Sequence, residues 1–138
     1  MTFRRLWDRW NPSRPSAHST SHKGGGVTSL GETTVTRVFE TEECLVVGLS
    51  GLMGNGDPRP LRKYLARLGV KSTKSVLLDL SEVTHIWPVA IGMLMNLKRC
   101  LNERRKCLTL TNVGQNVLDA LEIEGAKDSF VFVQRLRE

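Results

Sequence analysis

The run Val76–Leu80, VLLDL, constrains this chain more than any other stretch. A near-continuous apolar run without alternation reads as a strand covered on both faces, the pattern of a central strand in a parallel sheet. Parallel neighbours require a crossover of a dozen or more residues, in practice a helix. Helical spacing is present on both sides of the run. Upstream, the glycine-rich loop Gly51–Asp57 ends in a residue suited to cap a helix, and Pro58 and Pro60 fall in a first turn where a missing N–H costs little. Leu61, Tyr64, Leu65 and Leu68 then recur at i, i+3, i+4 and i+7, with Gly69 as the expected stop. Downstream, Pro88 suits the first position of a second helix, whose expected inward stripe is Val89, Ala90, Met93, Leu94, Leu97, Cys100 and Leu101. Arg104, Arg105 and Lys106 follow where a helix dipole favours cations.

The other elements fit around this pair. Thr33–Phe39 and Cys44–Leu49 read as strands joined by the polar turn Glu40–Glu43. Cys107–Thr111 gives a further strand. Gly114–Glu124 carries Val117, Leu118 and Leu121 at helical spacing before a stop at Gly125, and Ser129–Gln134 reads as a last strand. The order ββαβαβαβ predicts an α/β fold: a mixed, mostly parallel sheet with helices packed on it. A length of 138 residues suits one such domain.

Composition changes near residue 32 and divides the chain into an arm, 1–32, and a domain, 33–138. From Asn11 to Gly26 the sequence NPSRPSAHSTSHKGGG holds too little apolar surface to offset the entropy of ordering, and reads as a flexible linker. Ahead of it, Phe3, Leu6, Trp7 and Trp10 fall at i, i+3, i+4 and i+7, with Arg4, Arg5, Asp8 and Arg9 opposite. A segment this short needs a surface to be helical. These four side chains are therefore candidates for an anchor on an anionic membrane interface or in a partner's groove, against the alternative of a loose terminus.

Charge and chemistry narrow the function. The net charge of +6 includes Arg4, Arg5, Arg9, Arg14 and Lys23 in the arm, and no stripe of cations with interleaved aromatics marks a nucleic-acid face. Cys44, Cys100 and Cys107 lack metal-ligand spacing and read as small core residues in a reducing compartment, so no metal or cofactor is expected. Neither a membrane-spanning run nor a signal-peptide core is visible, which predicts a cytoplasmic protein, with membrane association through the arm as the one reservation. No carboxylate pair, nucleophile–base pair or metal cluster emerges from spacing, so an enzyme is not expected and no catalytic residue is assigned.

The ordered set Leu78-Asp79-Leu80-Ser81, Val83, Ile86, Gly92, Leu94 and Leu121-Glu122-Ile123-Glu124-Gly125 resembles the STAS domain of bacterial anti-sigma factor antagonists. With the preceding strands and helix, the resemblance covers about residues 33–134. It implies a role in signal transduction and transcription regulation, with a kinase-like anti-sigma factor or related scaffold as partner. The family carries an Asp-Ser-Ser-Gly turn with the phosphorylated serine ahead of its long helix. Here that turn holds Trp87, Pro88 and Val89, none of which offers an oxygen nucleophile. The substitution predicts a phosphorylation-independent contact surface of His85, Trp87, Pro88, Val89 and Ile91, in keeping with the enrichment of tryptophan at binding hot spots. Thr84 and Ser81 are the nearby hydroxyls that remain as candidate phosphorylation sites. An alternative implied by the same resemblance is an accessory STAS subunit of a membrane transporter such as a lipid-transport ATPase.

Overall fold

The computed structural model describes residues 28–133. The strands are β1 (Thr28–Leu30), β2 (Thr33–Glu40), β3 (Cys44–Met53), β4 (Ser75–Ile86), β5 (Leu108–Thr111) and β6 (Val131–Val133). The helices are α1 (Arg59–Lys71), α2 (Pro88–Glu103) and α3 (Gln115–Ile123), with a short 3-10 turn at Lys127–Ser129.

One six-stranded sheet runs in chain order, β1 to β6. The first three strands pair antiparallel, and β3 to β6 pair parallel. Each parallel step is bridged by one helix, so the crossovers forced by VLLDL are α1 and α2, as its spacing predicts. Val76, Leu78 and Leu80 point from β4 into a core shared with Val47 and Leu49 of β3, Leu108 and Leu110 of β5, and buried side chains of all three helices. Val46 and Leu77 form a smaller buried cluster with Phe39 and Cys44. In β3 and β4 these side chains alternate with those of the main core, which assigns them to the other face of the sheet.

Five expectations need correction. Thr28–Leu30 forms β1, so the sheet takes in residues that composition assigns to the arm. β4 does not end at Leu80 but runs to Ile86, and β3 extends to Met53, through two irregularities in their pairing. Gly69 does not stop α1: it is buried within the helix, with a Cβ there 3.0 Å from Cys100 Cβ, and so sets the close approach of α1 to α2. The last strand begins at Val131 and not at Ser129, which belongs to the 3-10 turn. Cys107 is exposed, and Cys44 and Cys100 are only partly buried, so the three are not uniformly core residues.

Candidate functional site

The entrance to α2 lies outside the carboxyl ends of β3 and β4, the usual place for recognition on an open α/β sheet. Met53 and Ile86 are the last residues of these strands and pair with each other. The Trp87 N–H then donates to the Met53 carbonyl at 2.9 Å and carries the ladder one step further. Trp87 is extended, with φ −98° and ψ 158°, and is the N-cap of α2; Pro88 occupies the first helical position, as expected. The Trp87 carbonyl accepts from the Ala90 and Ile91 N–H groups at 2.9 and 3.1 Å.

An N-cap side chain normally supplies an oxygen to the first orphan N–H groups, and tryptophan has none to give. No side-chain cap is made here. Local helix stability alone would favour Ser, Thr, Asp or Asn at this position, so the tryptophan stands against that preference.

The surroundings are apolar and largely open. Pro88 and Val89 are exposed, and Trp87 is half-buried. The Trp87 and His85 rings lie 6.1 Å apart between centroids at 54°, a tilted pair that partly fixes the indole. On the other side, Gly54 adopts φ +93° and presses its loop onto the helix. A Cβ at Gly54 would stand 3.0 Å from Ala90 Cβ and 3.1 Å from Val89 Cγ1. Gly51, at φ +99°, is held equally tightly: a Cβ there would meet the Glu32 carbonyl oxygen at 2.4 Å. Two glycines whose backbone L side chains rarely adopt thus place the loop beside the entrance.

Of the residues singled out from sequence, His85, Trp87, Pro88 and Val89 are brought together here. Ile91 is not: it is 4% exposed and belongs to the main core, whereas Val89, assigned to the inward stripe, is 39% exposed. Ile91 therefore leaves the expected contact surface for the core, and Val89, expected in both the inward stripe and the contact surface, belongs to the second. Thr84 is exposed, and its hydroxyl donates to the Gly51 carbonyl at 3.3 Å. Ser81 is exposed, and its N–H donates to Asp79 Oδ1 at 3.0 Å. Phe3, Leu6, Trp7 and Trp10 lie outside the described residues.

Sequence reasoning missed three contributors. Gly54 positions the loop, and its signal is a glycine in a short loop directly ahead of a proline-started helix. Asn116, in the first turn of α3, donates to the Thr84 carbonyl at 3.4 Å and ties α3 to the end of β4. Arg62 of α1 lines a shallow groove with Val89 and Gly92 of α2.

Charged groups near the site are few. Asp57 ends the loop, and its Oδ1 accepts from the Arg59 N–H at 3.0 Å; it does not cap α1 as expected, because Pro58 is the N-cap and no side-chain cap is made. The Arg59 guanidinium also bonds Asp57 and, with that N–H, holds its carboxyl down at about 2. Asp79 is buried within β4, in register with Thr111 of β5, where burial raises its pKa against the hydrogen bonds from Ser81 and Asn112. Among the described residues, no group of three or more His, Cys, Asp or Glu is placed to hold a metal ion. No helix among them is long and apolar enough to cross a membrane.

This sheet order, with helical crossovers and a helix entrance at the strand ends, defines the α/β class to which anti-sigma factor antagonists belong. The family model described as "Mlab, STAS domain" matches residues 36–134. The chain therefore belongs to the STAS domain family. Among solved structures it is similar to an anti-sigma factor antagonist from Mycobacterium paratuberculosis, at 18% identity and a TM-score of 0.63, over 72% of this chain and 84% of that one. It is also similar to the anti-sigma factor antagonist SpoIIAA in its unphosphorylated form, at 13% identity and a TM-score of 0.60, over 73% and 88%. A third match, SLC26A9, has 13% identity and a TM-score of 0.52, covering 75% of this chain but 20% of that one. At these identities the likenesses establish the fold. Comparison with the curated proteins yields no match.

Proposed function

We propose that this chain is a regulatory protein-binding module of the anti-sigma factor antagonist kind, cytoplasmic, which engages its partner without phosphorylation at the α2 entrance. The observation that carries the reading is an uncapped, hydroxyl-free entrance that presents Trp87, Pro88 and Val89, on the fold shared with two anti-sigma factor antagonists. Phosphorylation of the serine type needs a hydroxyl nucleophile, and these side chains have none. Pro88 also removes an N–H from the helix terminus where a phosphate would be received. What remains is shape and apolar surface: His85, Trp87, Pro88 and Val89, without Ile91. The partner is a protein, either a kinase-like anti-sigma factor or a related scaffold, and the action is binding.

The direct test is capture of such a partner from the native host by the full chain and by Trp87 and Pro88 variants. Recovery of a kinase-like or sigma-pathway protein by the wild type, and its loss with Trp87→Ala in a folded chain, supports the reading. Recovery that is indifferent to Trp87, or phosphate found on Thr84 or Ser81 in cells with binding that follows it, defeats it.

A second reading, an accessory STAS subunit of a membrane transporter such as a lipid-transport ATPase, draws on the SLC26A9 match. This chain covers a fifth of that one, so the matching region there is one part of a longer protein. In that reading the arm residues Phe3, Leu6, Trp7 and Trp10 act as the membrane or partner anchor. Co-sedimentation with acidic liposomes, compared between the full chain and one lacking residues 1–30, separates the two. Pelleting that depends on the arm favours the second reading; pelleting unchanged by the deletion removes the membrane role of the arm.

A further inference from the structure

A run such as VLLDL needs cover on both faces of its sheet. Among the described residues, the helices provide it on one. β3 to β6 follow one another in chain order, so three right-handed crossovers in the same direction carry α1, α2 and α3 to the same side. The main core accordingly contains buried residues of all three helices, whereas the cluster on the opposite face, Val46 and Leu77 with Phe39 and Cys44, contains strand residues alone.

Yet that opposite face is not wet. Val46 is 0% and Leu77 2% exposed, as deep as the side chains beneath the helices. Asp79 and Thr111, which share the face by alternation, are buried as well. Side chains in the middle of a bare sheet would keep part of their surface in water, so burial reached within one chain calls for a cover contributed by that chain.

The form of the face says what fits it. Phe39 of β2, Val46 of β3, Leu77 of β4 and Thr109 of β5 are successive partners in register, one row across four strands and about 14 Å long. The next row, Arg37, Gly48, Asp79 and Thr111, carries no apolar side chain and borders the first. A helix of ten residues is about 15 Å long. Ahead of β1, all the phenylalanine, tryptophan and leucine side chains fall in the first ten residues, as Phe3, Leu6, Trp7 and Trp10 at helical spacing. Residues 11–27 can span up to about 56 Å when extended, more than twice the roughly 24 Å width of six strands. At the other end of the chain, residues 134–138, QRLRE, hold a single apolar side chain, Leu136.

We infer that residues 1–10 of the same chain lie as a helix across this face, with Phe3, Leu6, Trp7 and Trp10 seated on the row of Phe39, Val46 and Leu77. Arg4, Arg5 and Arg9 then face water. The sheet gives a short helix the surface it needs. This contact goes beyond the reading of the α2 entrance, which lies at the strand ends and not on this face, and it takes up the apolar stripe that a bilayer would otherwise have to receive.

The test reads Cys44 in the full chain. Cys44 packs against Val46 and Leu77, and burial raises the pKa of its thiol, so an uncovered Cys44 is alkylated faster through both access and ionisation. Cys100, packed where α1 meets α2 on the other face, is the internal reference. With iodoacetamide and mass-spectrometric mapping, removal of residues 1–10 is expected to raise the Cys44 rate at least about tenfold relative to Cys100. Trp7→Ser/Trp10→Ser in the full chain is expected to do the same, and Arg4→Ser/Arg9→Ser to leave the rate unchanged. A second readout keeps the arm in place: a benzophenone photo-crosslinker substituted for Trp7 is expected to join to Phe39, Val46 or Leu77 of its own chain. An unchanged Cys44 rate on loss of residues 1–10 overturns the inference. So does a crosslink that forms on the helix side, between two copies or not at all, or protection of Cys44 that is lost only when residues 134–138 are removed.

Discussion

The two ends of α2 are built on opposite principles. At the C-terminal end the chain is tied down by hydrogen bonds and burial. Leu101 is fully buried, the Lys106 N–H donates to its carbonyl at 2.8 Å, and Arg105 takes the left-handed turn at φ 64°. The Arg104 guanidinium reaches back to the Gly69 and Ser72 carbonyls at the end of α1. At the N-terminal end the reverse holds: the cap is missing, a large aromatic side chain takes its place, and Pro88 and Val89 stand in solvent. The same helix is closed where it meets its own domain and left open where the strands end. Burial and bonding at one end serve the fold, whereas the other end gives up a local stabilisation for exposed apolar surface.

The comparison can be broken most forcefully in the middle of the helix. Leu94 is fully buried, and Leu94→Ala should cost about 2–5 kcal/mol in chemical denaturation. A cost below 1 kcal/mol, within about the range of a surface change, would mean that α2 is not seated as described. The next test is at the closed end. Arg104→Ala removes two hydrogen bonds to backbone carbonyls and should cost about 1 kcal/mol, at the lower end for a charged donor because the side chain is solvent-accessible. An unchanged denaturation midpoint would show that this end is no better secured than the other.

Carboxyls sharpen the same contrast between buried and exposed groups. Burial raises the Asp79 pKa in the folded chain, so the folded state holds a proton more readily than the unfolded one. The penalty of the charged form is present at neutral pH and relieved as pH falls from the raised value through the ordinary one of 3.8. Asp79→Asn should therefore show its most favourable stability difference from wild type at neutral pH, and that difference should shrink on acidification. A difference independent of pH would place Asp79 in water. Asp57, held at about 2 by Arg59, has the opposite sign: its contribution is complete above the ordinary value of 3.8 and is lost as pH falls from there through about 2.

The fold was legible because it depends on residues whose burial is forced. VLLDL can be nothing but central, and the helical stripes either side of it leave one way to connect parallel strands. What was illegible depends on where neighbouring segments settle. β4 continues past Leu80, but its pairing with β3 shifts twice, so Ser81–Ile86 shows no steady alternation to read. Gly69 lies at i+8 from Leu61 and i+4 from Leu65, a buried row, yet a glycine near a helix end reads first as a stop. At the candidate site, Trp87 and its neighbours were visible from the departure at the family turn. The burial of Ile91 was legible as well, since it stands three residues ahead of Leu94 on the buried stripe, but its place beside that turn assigned it to the contact surface.

The most direct measurement is the affinity of the partner recovered from host cells for the Trp87→Asp chain, taken with the stability of that chain. An aspartate at the N-cap supplies the missing acceptor, about 1 kcal/mol, which offsets much of the lost indole packing, so the denaturation midpoint should move little. Partner affinity should fall by at least about 30-fold, the loss expected of a tryptophan hot spot. A variant that binds as tightly as wild type would contradict the account, and so would one that unfolds, since Trp87 would then be part of the core and not of a contact surface.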